Sequence, residues 1–292
     1  MSTPRFLTLP PGVRQQTIET PVGAFAALEA MPLHGVPERL PALLVPGFTG
    51  SKEDFIAVLQ TLAHAGRRIV AIDMRGQFET KGPDDPAAYT CEALGDDIDH
   101  VAAAVGGGEP VHLVGHSFGG LVTRETVIGG ATKLASYTLM SSGPAAITGQ
   151  REKLCRALLG ALPEVGLENI WATRMEPDAI AAGVPDDILS FLRTRMFANS
   201  LIGLTTMARQ ILDAVDRVDD LRAVDLPTLV LYGEHDDGWP PGSQSEMADR
   251  LDADCFVVPG AAHSPAVEAP ETTAHTLTRF WNQSERHLLH NP

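Results

Sequence analysis

Val111-His112-Leu113-Val114-Gly115-His116-Ser117-Phe118-Gly119-Gly120-Leu121-Val122 is the stretch that decides the fold. An apolar run, suited to a strand buried on both faces, turns at Gly-x-Ser-x-Gly into a helical run. Such a strand-to-helix turn has to be sharp. Ser117 must be held in a strained conformation with its hydroxyl exposed. Gly115 and Gly119 let the backbone pass closely on either side, and Gly120 continues the small-residue requirement. The helix start places backbone N–H groups beside the serine, where a developing oxyanion can be stabilised.

Outward from this stretch, similar short apolar runs recur: Leu43–Val45, Ile69–Ile72, Tyr137–Met140, Thr228–Tyr232 and Cys255–Val258. Helical patterns separate them. Ser51–Ala65 opens with Ser51 as N-cap and Asp54 at the third helical position, and puts Phe55, Val58, Leu59 and Leu62 on one face. Thr90–Val105 does the same with Leu94, Ile98 and Val101. Near the start, Arg14–Glu19 and Gly23–Met31 read as an antiparallel hairpin around Thr20-Pro21-Val22. The alternation predicts an α/β fold with a mostly parallel, doubly wound sheet.

One interval breaks the rhythm. From Thr148 to Asp225 there are only helical pieces, too long together for an ordinary loop. The expected division is a sheet domain of residues 1–147 and 226–292 with a helical cap of 148–225. Trp171, Met175, Phe191, Met196, Phe197, Leu201 and Met207 are expected to pack within the cap and onto the sheet domain, a subset facing the cleft. Arg151, Lys153, Arg156, Arg193, Arg195 and Arg209 read as solvated helix faces.

The chain has 292 residues and a formal net charge of −15. That charge disfavours nucleic acid and anionic membrane surfaces as partners. No run reaches the roughly 18 apolar residues of a membrane-spanning helix. The stretch Met1–Leu7 turns to Pro10-Pro11-Gly12 without a long apolar core, so no secretory leader is expected. Cys91, Cys155 and Cys255 are odd in number and far apart, which reads as buried, reduced thiols of a cytoplasmic protein. Nothing in the sequence marks an oligomeric state.

Five segments, in order, resemble the α/β-hydrolase superfamily of serine hydrolases. Leu44–Ser51 is similar to the oxyanion loop after the third strand. Ile72-Asp73-Met74-Arg75-Gly76 is similar to the Asp-x-Arg-Gly segment after the fourth. Gly115–Gly120 is similar to the nucleophile elbow, Leu231–Asp236 with Pro240 to the acid segment, and Gly260–Pro265 to the histidine loop. The order Ser, acid, His is the one this fold uses. The resemblance implies the α/β-hydrolase fold with an inserted cap. It also implies backbone oxyanion donors at Phe48 and Phe118. After Asp73-Met74-Arg75-Gly76 the chain departs from the pattern: Gln77-Phe78-Glu79-Thr80 stands where His or Tyr, Gly and Ser are common.

The chemistry can be argued residue by residue. The Ser117 hydroxyl is a poor nucleophile until a base takes its proton. His263, in a Gly/Pro-bounded loop after the last strand, can take that proton and return it to the leaving group. Asp236, four residues past a buried strand, can hold the imidazole tautomer, with Asp237 as the rival acid. His100 and His112 read as structural, His116 as packing or making a local hydrogen bond, and His235 as positional. Serine at the nucleophile position argues against epoxide hydrolysis and dehalogenation, and no metal motif occurs. The expected activity is cleavage of a carboxylic ester, lactone or thioester (EC 3.1.1) of a small apolar molecule through an acyl-serine, with no cofactor. Two alternatives keep the triad: C–C bond hydrolysis and cofactor-free perhydrolysis. A third is a non-catalytic ligand-binding protein.

Overall fold

The computed structural model describes residues 2–34 and 38–290. Its eight strands are β1 (Val13–Thr20), β2 (Gly23–Ala30), β3 (Arg39–Val45), β4 (Arg67–Ile72), β5 (Val111–His116), β6 (Leu134–Met140), β7 (Thr228–Gly233) and β8 (Asp254–Val258). They form one sheet in the order β1-β2-β4-β3-β5-β6-β7-β8. The first two strands make the expected antiparallel hairpin, and β2 also runs antiparallel to β4. The other pairs are parallel. Every apolar run singled out in the sequence lies on a strand.

The helices are α1 (Ile56–His64), α2 (Cys91–Gly106), α3 (Phe118–Gly129), α4 (Gly149–Ile170), α5 (Glu176–Ala181), α6 (Asp186–Ala198), α7 (Leu201–Asp213), α8 (Val218–Arg222), α9 (Pro241–Leu251), α10 (Pro265–Glu268) and α11 (Pro270–His290). The stretch expected as one helix from Ser51 begins instead with a 3₁₀ turn, Lys52–Phe55, ahead of α1. Asp54 still accepts a hydrogen bond from the Ser51 amide at 3.3 Å, as the capping pattern requires.

Alternation along the strands divides the interior in two. Leu43 and Val45 of β3 join Val70, Ile72, Leu113 and the inner faces of α2, α3 and α9 in one core. Ala42 and Leu44 point the other way, to Ile69, Ala71, Val114, α1 and the Trp281 face of α11. This two-residue period is what a sheet covered on both faces demands. The parallel strands bring the loops after β3, β5, β7 and β8 to one edge, where ligand sites of such sheets form.

Between β6 and β7 the described chain is helical. A third apolar cluster gathers Trp171, Ile188, Leu192, Met196 and Leu204, with Phe48 packed against it. Met207 is buried in the main core, whereas Leu201 is exposed. α8 packs on α3 and α9, in the layer flanking the sheet.

Two expectations need correction. Arg195 is not solvated. It is fully buried, donating to Asp54 Oδ1 at 2.7 Å and to the Ser2 carbonyl at 2.6 Å. The thiols are not uniformly buried either: Cys91 is, Cys155 is half-buried and Cys255 is exposed. The first depends on the partner Asp54, far away in sequence. The second follows from β8 lying at the sheet edge, with one side open.

Candidate active site

β5 ends at His116, and Ser117 occupies the turn before α3 with φ 56° and ψ −121°. A positive φ is costly for a non-glycine residue and holds only where the surroundings over-determine it. Here the strand fixes one side and the helix the other. The Ser117 amide donates to the Met140 carbonyl of β6 at 2.9 Å. The elbow glycines are needed for closeness. A Cβ on Gly119 would lie 2.3 Å from the Pro46 carbonyl oxygen, and one on Gly115 would lie 2.1 Å from Thr123 Oγ1. A Cβ on Gly120 would meet Ser142. The elbow is therefore pressed onto the Pro46-Gly47 loop, and in register Val45 pairs with Gly115.

Three of the expected residues come together. His263 Nε2 lies 2.8 Å from Ser117 Oγ, and His263 Nδ1 lies 2.8 Å from Asp236 Oδ1. The first is a contact across 146 residues of chain. Parallel pairing of β7 with β8, ending at Gly233 opposite Val258, sets the two loops side by side. The carboxylate that meets His263 is Asp236, which is buried. Asp237 points outward and is held by Arg151 of α4 at 2.7 and 3.1 Å.

Asp236 is fully used. Oδ1 also accepts from the Gly238 amide at 2.8 Å, and Oδ2 from Gln244 Nε2 at 2.9 Å. Burial pushes its pKa up, but the hydrogen bonds from His263, Gln244 and Gly238 outweigh this and hold it below the usual aspartate value. It is thus a carboxylate able to stabilise a protonated imidazole. Asp236, Asp237 and His263 also offer three ligand atoms within 4.8 Å of one another. Those atoms are already engaged with each other and with Arg151, an arrangement that suits proton handling better than metal binding.

Four supporting residues escaped the sequence reading. Gln244 holds Asp236 as described. Glu268 accepts from the Ala262 amide and, at 3.2 Å, from the Ser264 amide, bracing the loop on both sides of His263. Trp239 stacks on His263 with ring centroids 6.3 Å apart. Its indole N–H donates to the Ala145 carbonyl at 2.8 Å. Gln77 reaches the Gly47 carbonyl. Trp239 and Gln77 reach partners distant in sequence, whereas Gln244 and Glu268 bond groups four to eight residues away. The residue types and spacings of Gln244, Glu268 and Trp239 carried no signal, and Gln77 stood out only as part of the departure after Gly76.

His116, expected to pack or make a local hydrogen bond, instead bonds the backbone carbonyl of His263, 147 residues away. His112 is structural, bonded to Ser136 Oγ at 2.7 Å and stacked on Trp281. His100, in α2, bonds its own helix carbonyl at Asp96.

Phe48 follows β3, and Phe118 is the first residue of α3. First-turn amides of a helix lack acceptors within it, so the Phe118 amide belongs to a set that favours negative charge. Behind the loop, the buried Lys52 ammonium contacts Asp73 at 2.9 Å, Glu79 at 2.7 Å and Glu53 at 3.1 Å. Burial works against its charge, but these carboxylates hold Lys52 above the ordinary lysine range. A cavity of about 20 Å³ lies beyond, lined by Thr49 and by Leu158, Leu162, Met175, Met196 and Leu204 of the inserted helices.

A serine on a strand-to-helix turn, a buried aspartate and a histidine loop at one edge of an eight-stranded sheet define a class, and most of the sequence agrees with it. The chain belongs to the alpha/beta hydrolase family, whose sequence model matches residues 42–276. It is similar to the dihydrolipoyllysine-residue acetyltransferase component of the acetoin cleaving system of Pseudomonas putida, 27% identical over 252 residues. That match takes 82% of this chain but only 63% of the longer relative. The non-heme haloperoxidase of Rhodococcus erythropolis is 26% identical over 257 residues, 82% of this chain and 91% of that one. Among solved structures, a thermophilic esterase from Thermogutta terrifontis superposes with TM-score 0.72 at 23% identity, covering 93% of this chain and 99% of the esterase. Among the described residues, no helix is long and apolar enough to cross a membrane.

Proposed function

We propose that this protein is a serine hydrolase of carboxylic esters, lactones or thioesters, with Ser117 as nucleophile, His263 as general base and acid, and Asp236 as its partner. The observation that carries the reading is the continuous chain from Ser117 Oγ to His263 to Asp236, 2.8 Å at each link. Ser117 Oγ attacks the carbonyl carbon while its proton passes to His263 Nε2. Asp236 keeps Nδ1 protonated and balances the imidazolium. The tetrahedral oxyanion is held by the amides of Phe48 and Phe118, each such donor contributing on the order of 3 kcal/mol. Its collapse expels the leaving group, which takes the proton from His263, and leaves acyl-Ser117. Water then repeats the sequence and frees the acid.

Residues 148–225 act as the cap over this site, with α8 belonging to the flanking layer. The apolar cluster of the inserted helices, with Phe48 packed against it, supports an apolar group on the substrate. The unpaired cysteines fit a cytoplasmic setting.

A fluorophosphonate probe should label Ser117, and hydrolysis of p-nitrophenyl esters should vanish in Ser117→Ala. A folded protein that stays unlabelled, with esterase activity indifferent to that substitution, would sink the reading. The likeness to a haloperoxidase favours one second reading, interception of acyl-Ser117 by hydrogen peroxide to give a peracid. Peracid formation outpacing hydrolysis at equal acyl-enzyme would favour it.

A further inference from the structure

We infer that Gln77 is a positioning residue that aims and polarises the Phe48 amide. The inference rests on the reading that this amide receives the oxyanion formed at Ser117. Gln77 is fully buried at the point where the chain leaves the expected Asp-x-Arg-Gly continuation. Its backbone is fixed in a turn: its amide donates to the Met74 carbonyl at 2.9 Å and its carbonyl accepts from Thr80 at 3.0 Å. Its side-chain Nε2 donates to the Gly47 carbonyl at 3.1 Å and lies 3.8 Å from Met207 Sδ of α7.

The Gly47 carbonyl and the Phe48 N–H are two ends of one peptide group. In a trans peptide they point in opposite directions. A donor on the carbonyl therefore sets the direction of the N–H and raises its partial positive charge, since linked hydrogen bonds polarise one another. This peptide borders the nucleophile. A Cβ on Gly47 would stand 2.9 Å from Ser117 Cβ. The Gly47 carbonyl also accepts from the Gly50 amide at 3.0 Å, so the peptide is held by two donors.

Packing alone does not explain a glutamine here. Its Oε1 is buried and has no partner among the described residues. Flipping the amide would turn Oε1 onto the Gly47 oxygen, acceptor against acceptor. An apolar side chain of the same length would fill the space without an unmet acceptor. The group that justifies the glutamine is Nε2. Through Met207 the same side chain touches the inserted helices, so Gln77 links the Gly47 loop to α7.

The test compares Gln77→Met, which keeps the shape and removes the donor, with Gln77→Glu, which puts an acceptor against the carbonyl. Three quantities are read: kcat and KM for a p-nitrophenyl ester, the inhibition constant of an alkylboronic acid, and the thermal midpoint. Ser117 Oγ adds to the boronic acid, forming a tetrahedral adduct with an oxygen facing the Phe48 amide. Gln77→Met should lower kcat about tenfold, less than the 10²–10³ of losing a donor outright. KM should stay within about twofold, boronate affinity should fall in step with kcat, and the midpoint should hold or rise. Gln77→Glu should lose more boronate affinity than Gln77→Met.

Unchanged kcat and boronate affinity in both variants overturns the inference. So does a drop in thermal midpoint with unchanged activity per folded molecule, which makes Gln77 purely structural. Ser117→Ala separates the levels. If it keeps the activity, the hydrolase reading itself fails. If it is inactive while Gln77→Met is normal, only the role of Gln77 fails.

Discussion

His116, the residue immediately before Ser117, bonds through Nε2 to the backbone carbonyl of His263 at 2.7 Å. A carbonyl only accepts, so the imidazole carries its proton on Nε2. The immediate neighbour of Ser117 thus tethers the loop that carries His263. Their rings lie 5.3 Å apart. Replacing His116 with Phe should free the His263 loop and reduce kcat by more than tenfold, because misplacing a reacting group by about 1 Å can cost 10². Steady-state kinetics beside an unchanged circular dichroism spectrum checks this.

The same residue sets a pH dependence of stability. Burial and the neighbouring His263 push the His116 pKa down to about 4, from an ordinary 6.5. Between these values the unfolded chain binds a proton that the folded one refuses. Stability is therefore complete above about pH 6.5 and falls as pH drops toward 4, by on the order of 3 kcal/mol. Urea unfolding between pH 4 and 7 should show this slope, and His116→Phe should flatten it.

The two adjacent aspartates should separate cleanly. Asp236→Asn removes the acceptor for His263 Nδ1 and should lower kcat by about 10⁴ with the fold intact. Asp237→Asn loosens only the exposed pair with Arg151, so kcat should move no more than a few-fold. Equal effects of the two substitutions on kcat would contradict this placement.

Gly238 leaves no room beside the imidazole. A Cβ there would sit 2.3 Å from His263 Cε1. Gly238→Ala should displace the ring and lower kcat about 10²-fold or more, with slower fluorophosphonate labelling of Ser117. Labelling at the normal rate would show that the loop absorbs the methyl group.

Arg195 and Asp54 form a buried ion pair between α6 and the segment after the oxyanion loop. Arg195→Met leaves the Asp54 carboxylate uncompensated and should cost about 3–5 kcal/mol. Adding Asp54→Asn should recover part of this, since the stranded charge is then gone. Denaturant midpoints of the single and double variants decide it.

The sequence by itself determined the sheet. The runs at Leu43–Val45 and Ile69–Ile72 are apolar at every position, and Val111–Val114 is interrupted only by His112, a signature of strands covered on both faces. It also determined which serine, acid and histidine to watch. The elbow pattern is local, and the Ser, Asp, His order follows from the order of strands. What the tertiary structure decided is the set of contacts whose two halves lie far apart in the chain. Which of Asp236 and Asp237 turns inward toward His263 was visible only in the folded chain. The buried state of Arg195 depended on Asp54, 141 residues away. Gln244 and Glu268 were silent in sequence, His116 read only as packing or a local bond and Gln77 only as a departure from the pattern, because a hydrogen bond has no periodicity. Its energy is local in space, and only folding makes it local.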